Sequence, residues 1–209
     1  MMPLISAALS ENNRALARKY IVQSMRYSLL LLLPVAVLMS VYSVPLVHLL
    51  YSDAYATAAP VLSILVFGFT LLSIFLMLCS VLSGAGKPSQ ATVLVFVLLV
   101  LSFVLTIVLV RTQGIVGAAI AHVVTAAVGC ILVVALVYYY FHAVIPFFSL
   151  VRIVTANLVI FILGWFLQAS GLYFILYSVL LGVLYVDLLA LLGEITKKDF
   201  DVLLSPLTK

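Results

Sequence analysis

Along the chain, long apolar runs alternate with short polar breaks. The runs cover residues 27–51, 54–82, 91–110, 115–141, 147–169 and 171–192. A helix needs about 20 apolar residues to cross the hydrocarbon of a bilayer, and each run meets that length. Pro34 and Pro45 fall inside the first run. Pro60 stands near the start of the second, where it suits a first helical turn because its missing N–H has no helical partner there anyway. The pattern predicts an all-α membrane protein, a bundle of six transmembrane helices.

Composition leaves no other solvent than lipid. Of 209 residues, 67% are hydrophobic and 8% charged, with a mean hydropathy of +1.41. A soluble domain carries about 25% charged residues and has too little interior to hide this much apolar surface. Cys79 and Cys130 both lie within apolar runs, at no spacing that suggests a disulfide or a metal site. No metal and no cofactor are expected.

The placement of the cations adds orientation. Arg14, Arg18, Lys19 and Arg26 precede the first run, Lys87 follows the second, Arg152 follows the fourth, and Lys197, Lys198 and Lys209 follow the sixth. If six spans alternate, these nine share one side and Arg111 alone takes the other. Positive residues stay inside, so both termini are expected in the cytoplasm and the chain in the cytoplasmic (inner) membrane. The expected organisation is a cytoplasmic basic amphipathic segment over 1–26, four helices over 27–142, a terminal helix pair over 143–195 and a cytoplasmic tail over 196–209. The opening, "MMPLISAALSENNRALARKY", is no signal peptide, because its charges follow the short apolar start instead of preceding a longer one. It reads as the interior of a longer chain, with Ser10 as a helix N-cap and a short basic helix at the headgroups.

The run "LSGAGKPSQ" at 82–90 invites a nucleotide-site reading, which fails. A phosphate loop of the form G-x-x-x-x-G-K-[ST] needs glycine where Val81 stands and a hydroxyl where Pro88 stands. Gly84 and Gly86 are expected to end a helix, with Pro88 preventing its continuation.

The stretch from 111 to 129, "RTQGIVGAAIAHVVTAAVG", carries Gly117, Ala121, Thr125 and Gly129 four residues apart. Ala118, His122, Ala126 and Cys130 form the adjacent row. Small residues at that spacing let helix backbones approach closely in lipid, so this face is expected to pack another helix.

The order of these features resembles a family: "PLIS", a basic amphipathic stretch, a proline-bearing helix ending "LLYSDAYATAAPVLSIL", a helix ending in Gly-Lys, one further span, then "GIVGAAIAHVV" and a tail "EITKKDFDVLL". It is similar to the C-terminal portion of the polysaccharide flippases, lipid-linked oligosaccharide exporters of the MATE-like MOP superfamily. The resemblance implies a partial second lobe of that fold. It also implies an activity: moving polyprenyl-diphosphate-linked oligosaccharide across the membrane by alternating access, without ATP hydrolysis. Its partners would be membrane lipid, the lipid-linked glycan and the missing N-terminal lobe, with no nucleic acid. His122 departs from the family, which has a small hydroxyl residue there.

Ionisable groups at membrane depth are costly and so are site candidates. His122, on the small-residue face, and Asp187, two turns before the end of the last span, are candidates for ion coupling; Asp187 also has Lys197 and Lys198 within reach as partners. Arg26, Arg111 and Arg152 flank spans. They either anchor the interface or bind diphosphate, which a guanidinium fork matches. Two other readings stand beside the transporter. One is a membrane-embedded enzyme acting on a polyprenyl phosphate, which the absence of clustered acids and histidines disfavours. The other is an accessory or inactive half-transporter.

Overall fold

A computed structural model describes residues 13–51, 53–167 and 173–194. All its regular elements are helical: α1 (Arg14–Val41), α2 (Ser43–Tyr51), a 3-10 turn (Asp53–Ala58), α3 (Ala59–Gly84), α4 (Pro88–Phe141), α5 (Phe147–Phe166) and α6 (Tyr173–Leu191). Among the described residues, five helical segments are long and apolar enough to cross a membrane.

The sixth crossing is folded into α4. A straight helix of its 54 residues would be about 80 Å long, far more than a bilayer holds. Gly114 breaks it with φ 60° and ψ −138°, a backbone conformation open essentially only to glycine. The chain then doubles back. Gly117 lies against the backbone of Leu109 and Gly129 against Leu98, while Gln90 Nε2 donates to Tyr140 Oη at 2.6 Å. Arms 88–113 and 115–141 therefore form a closed antiparallel hairpin. Gly117, Ala121, Thr125 and Gly129 are all buried.

The first apolar run is divided differently from expectation. The helix begins at Arg14 and runs unbroken through Val41, so the basic segment and the start of the first apolar run share one helix. Asn13 caps it by accepting from the Leu16 N–H at 3.1 Å; Ser10 lies outside the described residues. Ala17, Ile21 and Met25 are buried at four-residue spacing, which continues the packing stripe into the basic segment. The helix stops at Val41 because Pro45, four residues on, has no N–H for the Val41 carbonyl. The remainder restarts as α2.

Pro34 is kept inside α1 by a distant partner. With no N–H at position 34, the Leu30 carbonyl lacks its helical donor. Tyr185 Oη on α6 donates to that carbonyl at 3.0 Å. In lipid no water would serve instead.

Two apolar clusters share α1. One joins Ile21 and Met25 to Leu78, Leu82, Leu94, Leu98, Val133 and Val137, tying α1 to α3 and the hairpin. The other joins Val37 to Ile153, Ile160, Leu181 and Leu189, tying α1 to α5 and α6. The terminal pair thus packs chiefly on itself and on α1.

The ends follow from these contacts. Arg14, Arg18, Lys19, Arg26, Lys87 and Arg152 gather at one end with residues 13 and 194, and Arg111 stands exposed at the other beside the hairpin turn.

Candidate functional site: an arginine–glutamate node

The α3–hairpin turn and the end of α6 are built alike. After α3, Gly86 adopts φ +75°. Its N–H donates to Ser83 O at 3.1 Å, and the Lys87 N–H donates to Leu82 O at 3.0 Å. After α6, Gly193 adopts φ +68°; its N–H donates to Ala190 O at 3.1 Å and the Glu194 N–H to Leu189 O at 2.9 Å. Both are Schellman ends, which satisfy carbonyls a helix otherwise leaves open. The first seats Lys87, whose Nζ lies 3.5 Å from the Tyr140 ring centroid. The second turns Glu194 back beneath the bundle.

There Glu194 is only 4% exposed. Arg26 Nε donates to its Oε1 at 2.7 Å, and Arg26 Nη2 donates to its backbone carbonyl. Ser149 Oγ, in the first turn of α5, donates to the same Oε1. Arg152 reaches it more loosely: Nη1 lies 3.5 Å from Oε2 and 3.4 Å from the Gly193 carbonyl. A buried carboxylate is tolerable only when paired and hydrogen-bonded. Here a third contribution is the start of α5. That helix follows Pro146, has no side-chain cap and has no acid in its own first turn, so its positive dipole end is free to favour the carboxylate. One acid therefore joins α1, α5 and α6.

Arg26 and Arg152 thus meet at one site, while Arg111 is at the opposite end and joins neither. His122 sits between the hairpin and α3. Its ring centroid is 5.0 Å from that of Phe69, and it fills the space left by Gly68, where a Cβ would come within 2.5 Å of its Cδ2. His122 Nε2 is buried without a hydrogen-bond partner. Asp187 is exposed on α6, apart from both His122 and the node; Lys197 and Lys198 lie outside the described residues. The histidines do not converge: His48 is exposed near the end of α2, and His142 lies against Tyr138 at the other end, with ring centroids 5.5 Å apart. Among the described residues, no His, Cys, Asp and Glu side chains group as metal ligands. An apolar groove of about 310 Å³ separates α1 from α3. It is lined by Leu32, Val35, Met39, Leu62, Phe69 and Thr70, among others.

Glu194 is the functional-site residue that sequence reasoning missed. The signal was present: Gly193-Glu194 repeats, after α6, the glycine-plus-charge ending of Gly86-Lys87 after α3.

The MatE family profile matches residues 1–108, more than half of the sequence. The chain belongs to the MatE family. This agrees with the MOP-superfamily resemblance of its motifs. The MatE chain is 32% identical over 97 residues to the uncharacterized membrane protein MJ1068 of Methanocaldococcus jannaschii, an alignment covering 46% of this chain and 19% of that protein. Its fold matches the lipid II flippase MurJ in an inward closed conformation, with a TM-score of 0.78 at 12% identity over 99% of this chain. The MatE chain spans 42% of the length of that structure. It is a multi-pass membrane protein with the fold of part of a flippase.

Proposed function

We propose that this chain forms one portion of a flippase that moves a polyprenyl-diphosphate-linked oligosaccharide across the cytoplasmic membrane by alternating access. The observation that carries this reading is the order and packing of the helices, which follow part of the MurJ structure over 99% of the chain. Because that match spans 42% of the MurJ chain, the transporting unit includes a further lobe, in the same chain or in a partner. Substrate would pass between the lobes as they rock about a midplane site.

The gathering of Arg14, Arg18, Lys19, Arg26, Lys87 and Arg152 at one end supports placing that end in the cytoplasm. Arg26 and Arg152 are then the phosphate-facing cations of the inner leaflet, and Arg111 that of the outer. His122, unpartnered at Nε2, and Asp187 are the candidates for coupling an ion. No step in this scheme makes or breaks a covalent bond, and none uses ATP.

The test is complementation of a strain lacking its own polysaccharide exporter with the gene that carries this chain, scored by surface polysaccharide. Restored export is expected. A protein that inserts and folds yet neither restores export nor flips a fluorescent polyprenyl-diphosphate glycan in proteoliposomes overturns the reading.

A further inference from the structure

The position of Glu194 is that of a bound anion. Its carboxylate faces guanidinium groups from two helices, a serine hydroxyl, and the start of a helix that has no acid in its own first turn. Guanidinium forks, hydroxyls and helix N-termini are the donors that proteins direct at phosphate. The present occupant belongs to the chain itself and is carried one residue beyond a glycine with φ +68°, at the end of the last described helix.

The grip on that occupant is uneven. Arg26 holds Oε1 at 2.7 Å with its side chain 21% exposed, whereas Arg152 stands 3.5 Å from Oε2 and is 43% exposed. The contacts of Arg152 with the Glu194 carboxylate and the Gly193 carbonyl are both at the long limit of a hydrogen bond. Most of its five donors therefore remain available. The surroundings place it at the membrane boundary: Phe147 and Phe148, at the start of the same helix, are exposed at 73% and 77%, as aromatic residues at the headgroup level are.

We propose that this node is a phosphate-binding site with Glu194 as its built-in competitor. A phosphate oxyanion engages Arg152 and Ser149, Glu194 is left to Arg26, and the end of α6 separates from the start of α5. The node is then a latch on the terminal helix pair, closed by the chain's own carboxylate and opened by a phosphate. A lipid headgroup and free phosphate offer the same chemistry at this depth. The inference does not depend on transport, and failure of the export assay leaves it standing.

Hydrogen exchange of the Leu192, Gly193 and Glu194 amides reads the latch, with the full chain reconstituted in nanodiscs. Discs of phosphatidylglycerol are expected to speed exchange there by roughly tenfold over discs of the phosphate-free galactolipid digalactosyldiacylglycerol, the ratio that the loss of one charge-assisted hydrogen bond corresponds to. Inorganic phosphate added to the galactolipid discs separates the sources. The same acceleration there means that free phosphate suffices; no acceleration assigns the site to headgroups. Arg152→Gln is expected to abolish the acceleration and Arg14→Gln, a cation at the same end outside the node, to preserve it. Glu194→Gln exchanges fast in both lipids. If that variant does not fold, Ser149→Ala serves, with a reduced response to phosphate. Equal exchange in both lipids with and without phosphate overturns the proposal. So does an Arg152→Gln response equal to that of the unaltered chain, or its equal loss in Arg14→Gln.

Discussion

Arg26 and Glu194 are 168 positions apart in the sequence, and their side chains meet at 2.7 Å. That contact ties the first described helix to a residue three positions beyond the end of the last. It also gathers Ser149 and Arg152 around one carboxylate.

Removing either partner takes from the other its closest charged contact, so Arg26→Ala and Glu194→Ala are each expected to destabilise the chain. The cost is about 2 kcal/mol, less than for a wholly buried pair because Arg26 keeps some contact with solvent. The double substitution should cost clearly less than the sum, with a coupling of about 1 kcal/mol or more. Unfolding in detergent, followed by Trp165 fluorescence, measures all three. Strict additivity would show that the pair contributes nothing as a pair.

The Tyr185 hydroxyl serves a carbonyl that Pro34 leaves without a donor. Tyr185→Phe is expected to cost about 1–2 kcal/mol, the penalty for an unsatisfied buried acceptor. In a Pro34→Ala background the helix supplies its own N–H to Leu30, and the same change should cost much less. A Tyr185→Phe penalty that is identical in both backgrounds rules this account out.

Glycines at membrane depth are not equivalent. A Cβ on Gly117 would strike the backbone of Leu109, whereas one on Gly182 meets nothing within 4 Å. Gly117→Ala is therefore expected to force the hairpin arms apart at a cost of about 3 kcal/mol. Gly182→Ala should be neutral or stabilising by up to about 1 kcal/mol through helix propensity. Thermal aggregation midpoints of the two variants give the ranking, and a tolerant Gly117 is incompatible with the hairpin.

Side-specific labelling tests the orientation. In a background without Cys79 and Cys130, single cysteines at Arg14, Lys87 and Arg111 are to be treated with a membrane-impermeant maleimide in intact cells. Only the Arg111 position should react. Reaction at Lys87 but not at Arg111 reverses the orientation, and opposite behaviour of Arg14 and Lys87 breaks the alternation of spans.

Much of the bundle was legible because lipid imposes a length and an apolar composition on every crossing. Residues 91–110 and 115–141 read as separate spans, and the glycine between them turned out to be the reversal point. The turn at 82–90 was legible from Gly86 and Pro88, whose backbone limits are local. The start of α1 was not, because Arg14, Arg18 and Lys19 obscure the stripe of Ala17, Ile21 and Met25, and a rule based on hydrocarbon thickness places the boundary after the charges. The node was half legible. Arg26 and Arg152 could be picked out as cations flanking spans, but their common partner depends on how α1, α5 and α6 converge, which no local pattern encodes.

Among the described residues, the two apolar clusters meet chiefly on α1. A single rod gripped from both sides acts as an axle: the least disruptive displacement of the terminal pair against the hairpin is a swing about that rod, which leaves both sets of neighbours seated on it. Such a swing barely moves atoms close to the axle and carries those at the rim the farthest.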